Sequence, residues 1–292
     1  MLEKGFVEIH TPKLIGGASE GGANVFKFKY FEQDGCLAQS PQLYKQMALC
    51  ADLKRVFEIG PVFRAENSNT NRHLCEFTGL DMEMEFKDHY FEVLDIIGEL
   101  MVYMVTQLKS RFAKELGIIN DQYPFEEFKI CDPVLKISFK EGVSMLAAAG
   151  YEQEPLEDLS TETEKALGRL VKEKYDTDFY MLYGYPVNAR PFYTMLDPTD
   201  PNYTNSYDFF MRGEEITSGA QRVHDPAMLA ERAKSCGIAV ETIQDYIESF
   251  KYGAPTHAGA GFGLERIVKF FCGLHNIRKT SMFPRDPQRL AP

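Results

Sequence analysis

Residues 77–85 alternate: Leu80, Met82 and Met84, followed by Phe86, stand between Asp81, Glu83 and Glu85. Period two predicts a strand with one buried face and one face presenting carboxylates. A second extended run covers 56–64, and the loop joining the two is rich in Asn, Ser and Thr, so the pair predicts an antiparallel hairpin. Helical spacing takes over at 91–116, where Val93, Leu94, Ile97, Leu100, Met101, Met104 and Leu108 fall on one side of a long amphipathic helix. A shorter helix is expected after Ser40-Pro41, with Ser40 as its cap and Pro41 in its first turn. Gln42 and Lys45, three apart, share one face of it. Residues 124–180 alternate short strand-like and helical pieces, including a helix that a capping box of Thr161 and Glu164 opens and that runs to Tyr175. Further helices are expected from Asp225-Pro226 to Gly237 and over 240–251. At the start, Phe6, Val7 and Ile9 begin a strand-like run that ends at Thr11-Pro12. It begins so abruptly that something upstream is expected to be missing.

Several stretches carry candidate chemistry. The loop between the first two strands brings Arg64, Glu66, Arg72, His73 and Glu76 to one sheet edge, a set that suits a polyanion such as a nucleoside triphosphate. An ordinary hairpin with a solvated tip explains the same pattern equally well. In YDFFMRGEEITSGAQR (207–222), Arg212-Gly213 predicts a turn between two strands. That hairpin could bring Asp208 and Glu215 together, and two carboxylates suit Mg²⁺ when phosphates supply its remaining oxygens. Idle surface carboxylates are more frequent. Ser218, Gly219 and Arg222 lie just beyond. Next, GAGFGLER (259–266) runs from a glycine-rich strand into a helix N-terminus with Arg266 in its first turn, where phosphate binds readily. It is not a dinucleotide fingerprint, because Leu264 stands where the third glycine belongs, and no Gly-Lys-Ser/Thr of a P-loop follows. Residues 15–24 hold four glycines around Ser19-Glu20, a lid or a plain surface loop.

Composition narrows the class. A chain of 292 residues with ordinary apolar content predicts a packed core, and folds of this size often form one large domain. The net charge of −11 excludes a broad basic face for nucleic acid but not a local basic pocket. Six cysteines without a Cys-x-x-Cys pair point away from zinc ribbons and disulfide frameworks. No apolar leader or membrane-length run is present, so the expectation is a soluble, reduced, cytoplasmic protein with no membrane partner.

Three stretches, in this order, resemble the signature motifs of class II aminoacyl-tRNA synthetases. HTPKL, with Pro12, is similar to the end of motif 1, FRAE with RHLCEFTGLDMEM to motif 2, and GAGFGLER to motif 3. Three ordered and correctly spaced matches are hard to obtain by accident. QSPQLYKQ, GEEITSGAQR, KYGAPTHAGAGFGLER and the ending TSMFPRDPQRLAP narrow the resemblance to aspartyl-tRNA synthetases of the eukaryotic or archaeal type, over essentially the whole chain. The fold expected is α+β: a class II synthetase-like, mostly antiparallel sheet flanked by helices, forming one catalytic domain over 1–292. The resemblance also implies that the upstream anticodon-binding barrel and the helix opening motif 1 are absent. Thr256 and Ala260 stand where the family usually has Pro and Gly.

What the resemblance implies about the site is specific. ATP, with Mg²⁺, would meet Arg64 at its α-phosphate and Arg266 at the far end of the triphosphate. Glu66, Arg72, His73 and Leu74 would hold adenine and phosphates, Phe77 would stack on the base, and Gly263, Leu264 and Glu265 would add contacts from motif 3. Asp208, Glu215 and Ser218 would hold the metal. L-Aspartate would meet Gln42 and Asp81 on its amino side, Ser218, Arg64, and Glu20 from a closing loop. Lys45 and Arg222 would face its side-chain carboxylate, and asparaginyl enzymes lack the lysine. Two buried cations reject the neutral amide because it leaves them unpaired. The implied reaction is aspartyl-adenylate formation, then transfer to the acceptor end of tRNA(Asp), in a full-length homodimer. Alternatives are an ammonia-using asparagine synthetase-like enzyme and a non-catalytic synthetase-like binding protein.

Overall fold

The computed structural model describes residues 1–17, 25–67 and 70–291. Glu20 and the lid reading of the glycine-rich loop lie outside them. In chain order the first elements are β1 (Val7–Glu8), β2 (Leu14–Ile15), β3 (Lys27–Tyr30), β4 (Gln33–Leu37) and α1 (Gln42–Cys50). The hairpin β5 (Arg55–Phe63) and β6 (Glu76–Glu85) comes next, then α2 (Phe91–Arg111) and α3 (Ala113–Gln122). These are followed by β7 (Leu135–Ser138), α4 (Phe139–Ala148), α5 (Thr161–Tyr175) and β8 (Phe179–Tyr183). The last third holds β9 (Ser206–Met211), β10 (Glu214–Gln221), α6 (Pro226–Ser235), α7 (Gln244–Phe250), β11 (His257–Gly263) and α8 (Leu264–Phe271).

Eight strands form one sheet in the order β1-β5-β6-β11-β10-β9-β8-β7, parallel only at its two margins, and β2-β4-β3 form a small second sheet. The architecture is therefore the mostly antiparallel α+β sheet expected. One face carries the main core, where Met82, Met84, Phe209 and Phe262 pack against Val93, Ile97 and Met101 of α2. The opposite face is covered in two places. α4 and α5 cover one end through Phe139, Leu167, Tyr180 and Phe210, and α6 and α7 pack over Tyr193 near the other. Between these covers the first half of β6, through Phe77, Gly79 and Asp81, and the adjoining parts of β11 and β10 line a cavity, which positions the site.

The face of β6 expected to present carboxylates is itself buried. Asp81 is 7% and Glu83 0% exposed, because α1 lies across them with Lys45 fully buried. The long helix of 91–116 is divided at Phe112 (φ −120°). Its apolar stripe gives way to Lys109, Ser110 and Arg111, and α3 fully buries no residue, only Leu116 and Ile119 resting half-buried on the main core. Ser160, one residue before Thr161, caps α5 and accepts from Thr163 N at 3.2 Å. Pro41 takes the cap position of α1, although Ser40 Oγ still accepts from Gln42 N at 3.2 Å. The 240–251 segment opens as a 3₁₀ turn, Val240–Ile243, before α7 begins.

Candidate active site

The open part of the sheet forms the floor of a cavity whose two ends differ in chemistry. At one end the β5–β6 hairpin and α8 bring Arg64, Arg72, His73, Phe77 and Arg266 to its walls. Arg64 N donates to Cys75 O at 2.9 Å, which fixes the base of the loop, and its guanidinium carbon lies 5.5 Å from the centre of the Phe77 ring. Glu66 stands 3.4 Å from His73 Nε2. Burial, with Arg266, Arg72 and Arg64 assisting and Glu66 opposing, holds His73 below the ordinary histidine pKa. Arg266 reaches across to Glu215 O at 3.2 Å. Leu74 and Gly263 also line this end, whereas Leu264 does not: α8 turns it outward and it is 46% exposed. Glu265 lines the cavity with its carboxylate already engaged by Thr78 N, at 3.0 and 3.1 Å, which ties α8 to the start of β6.

At the other end Gln42, Asp81, Ser218 and Arg222 line the wall. Lys45 lies behind them, its Nζ 3.0 Å from Asp81 Oδ1, 3.3 Å from Met82 O and 3.4 Å from Glu83 Oε2. Arg222 donates to Glu83 at 2.9 and 3.3 Å, to Gly259 O at 3.0 Å and to Gln42 Oε1 at 3.2 Å. Glu83 thus pairs with both cations. Burial alone would raise its pKa, but Arg222, Lys45 and His257 bring it below the ordinary carboxylate value. Sequence reading assigned Glu83 no role, and the only signal was its place two residues from Asp81 on the same strand face.

Between the two ends lies the carboxylate group. A bulge in β10 at Ile216 shifts the pairing, so that Glu215 faces Phe210 while Ser218 faces Asp208. The extra residue puts positions 215 and 218, an odd number apart, on one side of the sheet. Asp208 does not line the cavity. Both of its oxygens accept from Arg190, at 2.8 and 2.7 Å, in a buried bidentate pair that no motif announced. Glu215 is half-buried, and its carboxylate has no hydrogen-bond or ion-pair partner among the described residues. Burial and the nearby Asp208 charge push its pKa up to about 7, against the pull of Arg266 and Arg190. A carboxylate without a paired cation, on the same face of β10 as Ser218 and lining the same cavity, fits a hard divalent ion that takes its remaining oxygens from phosphate.

The cavity thus has arginines at one end and a recess of paired charges at the other, on a mostly antiparallel sheet. Residues 1–287 match the tRNA synthetases class II (D, K and N), and the chain belongs to that family. Within it, the whole chain is 60% identical to aspartate–tRNA ligase 1, cytoplasmic, of Arabidopsis thaliana, of which it spans 55%. A putative aspartyl-tRNA synthetase of Leishmania major superposes over the whole chain with a TM-score of 0.93 at 45% identity, the chain covering 63% of it. The asparaginyl-tRNA synthetase of Pyrococcus horikoshii, solved with asparaginyl-adenylate, gives a TM-score of 0.88 at 34% identity, with all of this chain and 66% of that one covered. The chain thus spans about half the length of the curated relative it matches.

Proposed function

We propose that this chain activates L-aspartate with ATP, forming aspartyl-adenylate and pyrophosphate, and passes the aspartyl group to the acceptor end of tRNA(Asp). The observation that carries the reading is the buried Lys45–Glu83–Arg222 group, which meets the cavity through Arg222 at the end opposite Arg64 and Arg266. Relatives at 60% identity named aspartate–tRNA ligase support the same substrate.

In this mechanism the aspartate α-carboxylate attacks the α-phosphate in line and pyrophosphate leaves. Arg64 neutralises charge developing at the α-phosphate, and Arg266 holds the far end of the triphosphate. Positioning and charge stabilisation supply the rate, and no protein nucleophile is required. Glu66, Arg72, His73, Leu74 and Phe77 bind the base and phosphates, with His73 as a neutral hydrogen-bonding partner. Gln42, Asp81 and Ser218 orient the amino acid. Arg222 on the cavity wall, with Lys45 behind it, selects the side-chain carboxylate, because a neutral amide cannot form the charge-assisted pair with the guanidinium. When bound, Mg²⁺, held by Glu215 and Ser218 with Asp208 behind them, would screen the phosphate charges. The exposed apolar side chains Leu2, Val7, Leu14 and Ile59 suit a second copy of the chain, in keeping with a homodimer. A cytoplasmic location follows the relatives' names.

The test is exchange of labelled pyrophosphate into ATP with Mg²⁺, without tRNA, in the presence of aspartate or asparagine. Exchange with aspartate alone is expected. Exchange with asparagine instead, or none from folded protein, would overturn the proposal.

A further inference from the structure

A buried chain of hydrogen bonds runs from His257, the first residue of β11, to Arg222. His257 Nδ1 lies 2.7 Å from Pro255 O. A carbonyl only accepts, so Nδ1 carries the hydrogen. The ring is fully buried, and its pKa is held below the ordinary histidine value by burial, with Glu83 and the Pro255 carbonyl opposing and Arg222 and His224 assisting. At pH 7 it is neutral, and its Nε2 is therefore an acceptor. Gln46 Nε2 stands 2.9 Å from it, so Gln46 donates to the ring and turns its oxygen the other way. That oxygen accepts from Gln42 Nε2 at 3.0 Å and from the Tyr246 hydroxyl at 2.9 Å. Gln42 in turn offers its oxygen to Arg222 at 3.2 Å.

We propose that His257 is a positioning residue for the aspartate end of the cavity, acting through Gln46 to fix the amide of Gln42 with its oxygen on Arg222. The opposite direction is costly. With a hydrogen on Nε2, Gln46 would have to reverse, and its NH₂ would meet the NH₂ of Gln42. Gln42 would then reverse as well and point a donor at the Arg222 guanidinium, leaving two buried donors without an acceptor. Of the groups around the ring, Glu83 and the Pro255 carbonyl pull towards protonation, but burial outweighs them. Glu83 is already paired with Arg222 and Lys45, Tyr246 donates to Gln46, and Phe250 presents its ring 6.0 Å away. Arg222 only donates, and the Nδ1–H tautomer leaves Nε2 to accept, so the two ends of the chain demand the same direction of both amides, and His257 is the end that holds Gln46 there.

The inference rests on the proposed aspartate activation, and two readouts keep the ideas apart. The first is the ¹⁵N spectrum of His257 in the whole chain at pH 7. A hydrogen on Nδ1 and a bare Nε2 are expected, and an Nε2–H tautomer or an imidazolium overturns the relay whether or not the protein is active. The second is the KM for aspartate in pyrophosphate exchange. Gln46→Met removes the link and is expected to raise the aspartate KM about tenfold, leaving the ATP KM unchanged. Gln46→Glu offers oxygens to Gln42, Tyr246 and a protonated His257. It is expected to return the aspartate KM to within about threefold of the parent and to show a doubly protonated ring. Equal KM values in the two variants, or a Gln46→Met variant indistinguishable from the parent, overturn the positioning role. A parent chain with no exchange counts against the proposed activity, while the spectra of the parent and of Gln46→Glu still decide the relay.

Discussion

Glu83 and Arg222 form a buried pair in which the guanidinium donates to both carboxylate oxygens, at 2.9 and 3.3 Å, while Lys45 lies 3.4 Å from the same carboxylate. Replacing Glu83 with an amide leaves Arg222 buried without a carboxylate and Lys45 with Asp81 alone, so Glu83→Gln is expected to cost about 3–5 kcal/mol in denaturant unfolding at pH 7. The pH dependence has a definite sign. The folded-state pKa of Glu83 lies below its ordinary value of 4.5. Its contribution is therefore complete above that value and drains as pH falls through the folded-state one. The gap between parent and variant should narrow on acidification below 4.5. A gap that widens there would contradict the pairing.

Lys45 is fully buried against Asp81, Met82 O and Glu83, and Arg222 lines the cavity beside it. Removing the lysine charge takes away half of the preference for a carboxylate over an amide. Lys45→Met is expected to lower the kcat/KM ratio of aspartate to asparagine in pyrophosphate exchange by at least about a hundredfold. It should also cost stability, because Asp81 loses its partner, so the ratio rather than the absolute rate is the measurement that decides.

At the carboxylate group the sign is opposite. Burial and neighbouring carboxylates push Glu215 up to about 7 and Glu164 of α5 up to about 8. Raised acids contribute stability below their ordinary range, and that contribution is lost as pH rises through the folded-state value. Without divalent ions, the parent chain is expected to lose stability relative to Glu215→Gln between about pH 5 and 8. Mg²⁺ competes with the proton on Glu215, so with ATP present it should raise the Tm of the parent more at pH 8 than at pH 6. Thermal scans of both proteins at the two pH values check this, and an equal Mg²⁺ response in Glu215→Gln would remove Glu215 from the cation site.

Much of this arrangement was legible in the chain because it rests on local patterns. Alternation around Met82 and Met84 marked β6, Arg212-Gly213 marked the β9–β10 turn, and the glycine string into Leu264 marked the junction of β11 with α8. What stayed hidden depends on contacts between segments far apart in sequence. Arg190 reaches Asp208 from a stretch with no periodicity, and the His257–Gln46 link spans 211 positions. The period-two rule located the acidic face of β6, but nothing local showed that α1 would cover it. Boundaries failed for a related reason: Ser160 and Thr161 are both competent caps, and packing of α5 on the sheet chooses between them.

The glycines of β11 are set by how closely side chains approach the strand. Gly259 and Gly261 point to the cavity face, whereas Ala258, Ala260 and Phe262 pack into the main core. A Cβ on Gly259 would run into Met82 O and the Glu83 carboxylate, and one on Gly261 would come within 2.5 Å of Asp81 Oδ1. At Gly263 the nearest atoms are 3.7 Å away on the Phe77 ring, an ordinary contact. Gly263→Ala should therefore change stability by less than about 1 kcal/mol. Gly259→Ala should cost about 1–3 kcal/mol by overpacking, and its effect should be directional as well. The methyl displaces Glu83 from Arg222, so the aspartate KM should rise while the ATP KM, set at the Arg64 and Arg266 end, stays within about twofold. Unfolding curves and the two KM values together separate this from general loosening, which would raise both KM values.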